Sequence, residues 1–188
     1  MTSRTSWPKV NNLSVDLHDF SSEEYNCRQK RAKTLMLKMG LDALLITENA
    51  NYRLLTGTRP VTKTRPVILI LPKEGDPTLI VNTFMESGTK RYTWIKDIRT
   101  YELQKFNLDP VKKTLKNLRL TNATIGAELN VSYFPSAISV KLQQELPETR
   151  FIDASNILLE LRAVKTDAEI QCLRKACEIT GNAYDQLF

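Results

Sequence analysis

Histidine is almost missing from this chain: the 188 residues contain one, His18. A hydrolytic metal centre wants several His, Asp, Glu or Cys groups converging on a cation, usually with histidine among them. His18 sits in Asp16-Leu-His-Asp19, ahead of the first periodic segment, and reads as a surface or capping residue. A serine or cysteine nucleophile also needs a base, normally histidine, and no G-x-S-x-G elbow occurs. Glycine is scarce too: Gly40, Gly57, Gly75, Gly88, Gly126 and Gly181 never assemble into G-x-G-x-x-G or a P-loop, so neither a dinucleotide nor an NTP site is indicated. Carboxylate neighbours such as Glu23 and Glu24 fall on different sides of a helix, as solvated residues do. By its own residues the chain does not read as a complete enzyme.

Long apolar runs are missing as well. The longest, 67–71 (VILIL) and 43–46 (ALLI), fall far short of the roughly 20 residues that span a bilayer as a helix, so no membrane partner is expected. The opening MTSRTSWPKVNN has no apolar stretch of the secretory kind and reads as a loose tail. Cys27, Cys172 and Cys177 form no C-x-x-C pair. An odd count in a chain able to build its own core suggests reduced thiols and a cytoplasmic setting, with the cysteines as small buried or half-buried apolar residues.

Charge is in excess, at +6 with a pI of about 9.2. Lys and Arg are nevertheless scattered, with short clusters at Arg28-Gln29-Lys30-Arg31 and Lys112-Lys113 and no interleaved aromatics to stack on bases. They read as solvated helix faces, and no nucleic-acid partner is expected. With 41% hydrophobic and 26% charged residues, the composition suits one globular domain or one domain with an appendage.

Ser21 and Glu24 have capping-box spacing, and Ala32, Leu35, Met36 and Met39 follow at helical steps up to Gly40, so residues 22–39 are predicted helical with Gly40 as a left-handed cap. The run 42–47 reads as a strand buried on both faces. Strands at 66–71 and 78–81, divided by Pro72-Lys-Glu-Gly-Asp-Pro77, suggest a hairpin. A helix over 83–92 and a strand over 95–102 follow. Asp109 as N-cap with Pro110 at the first helical position starts another helix, its stripe being Val111, Leu115 and Leu118. Then come strand 123–128, helix 135–146, strand 150–153 and helix 155–162. Helices falling regularly between strands predict an α/β fold, a mixed, mostly parallel sheet with helices on both faces.

The stretch 160–180 (ELRAVKTDAEIQCLRKACEIT) opens a last helix with a second capping box, Thr166 and Glu169. Ile170, Leu173, Ala176, Cys177, Ala183 and Leu187 collect along one side of it. Ala163-Val-Lys165 is the expected hinge. The chain accordingly divides into a tail (1–20), an α/β domain (21–162) and a hinge with a connecting helix (163–188).

Three stretches together resemble the N-terminal domain of the creatinase, prolidase and aminopeptidase P family, over about residues 24–188. They are Gly40-Leu-Asp-Ala-Leu-Leu-Ile-Thr47 after its helix; Asn51-Tyr-Arg-Leu-Leu-Thr-Gly57 with the strand and turn beyond it; and Phe151-Ile-Asp-Ala-Ser155 with Leu161-Arg162, Lys165 and Glu169-Ile170. The resemblance implies a three-layer α-β-α domain with a ribonuclease H-like motif. It implies that the final helix leads into a catalytic "pita-bread" domain outside these residues, where two divalent metal ions (Mn, Co or Zn) are held by two Asp, one His and two Glu. In this chain it implies no catalytic residue, no metal and no cofactor.

The implied role is dimer contacts and control of access to the active site of a metal-dependent Xaa-Pro peptidase or related amidohydrolase, in a homo-oligomer, expected to be a dimer, with its own catalytic domain. The family's Tyr-Leu-Thr-Gly followed by Phe or Tyr is Leu54-Leu55-Thr56-Gly57-Thr58 here. Creatinase-like members send an arginine from the loop after this glycine toward a neighbour's active site, and Arg59 and Arg65 occupy that stretch. They read either as a bidentate clamp for a substrate carboxylate or as solubilising loop residues. A contrasting reading keeps the fold but not the catalysis: a stand-alone protein-interaction module, as in a histone-chaperone subunit with an aminopeptidase-like domain, whose positive charge suits acidic partners.

Overall fold

The computed structural model describes residues 19–59, 66–102, 107–129 and 136–187. His18 and Arg65 lie outside them, as does nearly all of the expected tail.

The first helix, α1 (Ser22–Lys38), ends as its sequence predicts. Gly40, at φ +65, lets the Gly40 and Leu41 amides turn back to the Leu37 and Met36 carbonyls, a Schellman closure that aims the chain into β1 (Ala43–Ile46). A short helix that the sequence reading missed, α2 (Asn49–Thr56), follows and is closed by Gly57 at φ +69. A side chain at Gly57 would also meet Tyr25 Oη at 2.6 Å. β2 (Ile68–Pro72) and β3 (Thr78–Asn82) form the expected hairpin, in register Ile68 with Ile80 and Ile70 with Thr78.

The expected helix over 83–92 is a 3-10 turn (Thr83–Met85) running into α3 (Glu86–Tyr92), with Asn82 Oδ1 accepting from the Phe84 amide. Then come β4 (Asp97–Tyr101), α4 (Asp109–Asn117), β5 (Thr124–Ala127), α5 (Ser136–Glu145), β6 (Arg150–Asp153), α6 (Ser155–Ala163) and α7 (Asp167–Asp185). At α4 the cap lies earlier than predicted: Leu108 is the N-cap and Asn107 Oδ1 accepts the Asp109 amide, so Asp109 is already helical.

The strands form one sheet in the order β4-β3-β2-β1-β5-β6. β3–β4, β1–β5 and β5–β6 run parallel, while β1–β2 and β2–β3 run antiparallel, the mixed, mostly parallel sheet that was expected. Alternate strand residues feed two cores. Leu44, Ile46, Leu69, Leu71, Leu79 and Val81 face α1, α2 and α6; Ala43, Leu45, Ile68, Ile70 and Ile80 face α4 and α5. Both faces are covered, which explains why β1, β2 and β3 are uninterrupted apolar runs.

Two expectations about side chains fail. Arg28 and Gln29 are not on a solvated face; they are 3% and 7% exposed, because α1 is covered at that level by α2. The cysteines are the reverse, with Cys27, Cys172 and Cys177 all free and exposed. No described helix is long and apolar enough to cross a membrane.

Candidate functional site

Arg28 organises a polar cluster between α1, α2 and α7. Its guanidinium donates from Nε to Glu24 Oε1 at 2.9 Å, one turn earlier on α1, and from Nη1 to the Leu54 carbonyl of α2 at 3.1 Å. Its Cζ lies 4.1 Å from the centroid of the Phe20 ring, a cation–π contact. Nη2 is 3.2 Å from Glu169 Oε1 on α7, an ion pair whose angle falls short of a hydrogen bond. Gln29 Nε2 donates to the Leu55 carbonyl at 3.0 Å, so α1 satisfies two end carbonyls of α2 with side chains.

Glu24 takes a different part from the one its spacing predicts. Ser21 Oγ does accept the Glu24 amide, at 3.3 Å, but the Glu24 carboxylate turns away from the cap to receive Arg28 and, at 2.8 Å, the Thr166 hydroxyl. Thr166 and Glu169 complete the capping box of α7: Glu169 Oε2 accepts the Thr166 amide at 2.9 Å and Thr166 Oγ1 accepts the Glu169 amide at 3.3 Å. Between α6 and α7, Val164 is extended, and Lys165 Nζ donates to the Arg162 and Ala163 carbonyls at the end of α6.

Beside this cluster, a cleft of about 630 Å³ opens between the start of α1 and α7, and a second of about 490 Å³ between α1, α2 and α7. Asp19 stands at their shared rim. Arg53 donates to its Oδ2 from Nε at 3.0 Å and Nη2 at 2.8 Å, and Arg59 Nη2 donates to its Oδ1 at 2.6 Å. Burial pushes the Asp19 carboxyl up, but the hydrogen bonds and charges of Arg53 and Arg59 outweigh that and leave it below the usual carboxylate range. Arg59 also lies 5.5 Å from the Tyr92 ring centroid. Arg59 is thus engaged within the chain, while Arg65 falls outside the described residues.

A second polar cluster lies at the carboxyl ends of β1 and β5. Glu128 is 1% exposed and accepts from the Thr47 amide at 2.6 Å, the Glu48 amide at 2.8 Å and Asn51 Nδ2 at 2.5 Å, binding the first turn of α2. Burial pushes its carboxyl up in spite of these donors, which favour the charged form.

Among the described residues no three His, Cys, Asp or Glu side chains gather where a metal ion could be held. The α1–α2–α7 region offers guanidiniums and paired carboxylates, a donor set for anions and ion pairs rather than for a cation pair. Sequence reasoning singled out Arg59 and predicted the Thr166–Glu169 box, which forms, but it pointed to none of Asp19, Arg53, Arg28 or Glu128 as members of these clusters. The i, i+4 spacing of Glu24 and Arg28 was the one local signal.

Residues 28–164 match the family described as Creatinase/Prolidase N-terminal domain. An ectoine hydrolase from Halomonas elongata is 27% identical over 177 residues, 89% of this chain and 44% of that protein. An Xaa-Pro dipeptidase from Pyrococcus horikoshii is 26% identical over 159 residues, 84% and 40% respectively. A crystal structure of prolidase from Thermococcus sibiricus superposes with a TM-score of 0.73 at 21% identity, covering 88% of this chain and 44% of that one, a likeness of fold. The chain spans less than half the length of the curated relatives it matches.

Proposed function

Since the chain belongs to the Creatinase/Prolidase N-terminal domain family, we propose that it is the non-catalytic N-terminal part of a metal-dependent hydrolase acting on Xaa-Pro peptides or a related small amide. In this reading the α/β body supplies dimer contacts and limits access to the active site. The two divalent cations, Mn, Co or Zn, belong in the same reading to the catalytic part, where Asp, His and Glu ligands suit them. α7 is the connection to that part.

The observation that carries the reading is α7 itself. It begins with a complete capping box, runs for 19 residues, and buries none of them. Leu173, Ile179 and Tyr184 are 55%, 60% and 63% exposed. Apolar side chains of this kind gain about 1.5–3 kcal/mol each on full burial, so a helix built this way is suited to being covered. Arg59 stands near Tyr92 at the body's surface and supplies, in this reading, a guanidinium for a substrate carboxylate across a dimer, once Asp19 releases it.

The test is an assay of proline release. The 188-residue chain with an Xaa-Pro dipeptide and Mn²⁺ is expected to release none, and the chain extended along its reading frame is expected to release proline. Release by the 188 residues alone overturns the non-catalytic reading. An extended chain that is inactive and lacks Asp, His and Glu ligands favours a protein-interaction module instead.

A further inference from the structure

We propose that the Glu24–Arg28–Glu169–Thr166 cluster is a releasable latch that sets the direction of α7 relative to the α/β body. This goes beyond the hydrolase reading and does not depend on it.

The two ends of the cluster differ. Within the body, Arg28 is held by Glu24, by the Leu54 carbonyl and by the Phe20 ring, and its side chain is 4% exposed. This half keeps those contacts without α7 and leaves only Nη2 without a hydrogen-bond partner. Toward α7 the same guanidinium offers only Nη2, which reaches Glu169 Oε1 at 3.2 Å without hydrogen-bond alignment. The other link is the Thr166 hydroxyl on Glu24.

Both links lie at the first turn of α7. No residue of α7 is buried, and Ala168, Gln171, Cys172 and Lys175 line an open cleft beside the start of α1. An apolar interface would hold its angle through many contacts, whereas the first turn of α7 is held by one ion pair and one hydroxyl. The extended Val164 provides the pivot. Opening the latch leaves Arg28 with its body partners and Glu24 with Arg28, so neither charge is stranded.

The exposed thiols allow a direct test. Nitroxides on Cys27 (α1) and Cys177 (α7), with Cys172→Ser and an excess of unlabelled chain, report the distance between body and helix by electron–electron resonance. The parent is expected to give one narrow distribution. Glu169→Gln removes the charge that pairs with Arg28 and keeps one acceptor oxygen for the Thr166 amide, so the capping box can form without the ion pair. It is expected to broaden the distribution at least twofold with unchanged helix content by circular dichroism. Glu24→Gln, which weakens both links, is expected to broaden it at least as much. A distribution in Glu169→Gln as narrow as the parent's, with the helix intact, overturns the latch; so does a parent distribution that is already broad.

Discussion

β1 and α7 are both amphipathic or apolar segments opened by unambiguous signals, and they end in opposite surroundings. Every residue of Ala43–Ile46 is buried, and not one of the 19 residues of Asp167–Asp185 is. β1 lies in the middle of the sheet, flanked by β2 and β5, with a core on each face. α7 meets the body through the Arg28 cluster at its first turn. Local signals such as caps and periodicity therefore specify that an element forms, while burial depends on what else is there to cover it. The body is held by apolar contact on two sides, and α7 by its own backbone bonds and a polar anchorage.

The largest expected effect lies in the body. Leu44→Ala, at 1% exposure between α1 and α6, should cost about 2–5 kcal/mol of unfolding free energy, measured with urea. A loss below about 1 kcal/mol would mean that the sheet is not the stable unit.

Glu128 gives the next effect. Glu128→Ala strands the Thr47 and Glu48 amides and should cost about 1–3 kcal/mol. The pH dependence is more telling. The folded carboxyl lies above its ordinary 4.5, so the folded state holds this proton more tightly than the unfolded chain does. The stability it contributes is complete below about 4.5 and is lost as pH rises through the folded value. Glu128→Gln should therefore gain on the parent as pH rises from 4.5, read as the difference between their unfolding free energies. If the parent gains on the variant instead, the Thr47, Glu48 and Asn51 donors outweigh burial.

Smallest of all is the effect expected on α7. Leu173→Ser should leave the unfolding free energy within about 0.5 kcal/mol, since the side chain is 55% exposed. Sedimentation is the sharper measurement there: any self-association through the bare side of α7 should weaken in Leu173→Ser.

The body was readable because its signals are local and mutually consistent. Gly40 after α1, the turn between β2 and β3, and the Thr166–Glu169 box each predict a boundary that the chain adopts. α2 was not readable, since Glu48 offers no side-chain cap and the first turn is held by Glu128, some eighty residues away. Arg28 was misread for a similar reason: nothing nearby in sequence announces the Leu54 carbonyl or the Glu169 carboxylate that make its burial tolerable. The exposure of the cysteines follows from where they fall, Cys172 and Cys177 on a helix that buries nothing. Of the candidate site, Arg59 could be named from its place after Gly57, but its pairing with Asp19 belongs to the folded chain.

The α/β body has a core on each face of its sheet and α7 buries no residue, so amide hydrogen exchange on the dilute chain should separate the two. The amides of Ala43–Ile46 and Ile68–Pro72 should exchange only through global unfolding, and those of α7 beyond its first turn orders of magnitude faster. Protection along α7 equal to that of the central strands would contradict the account.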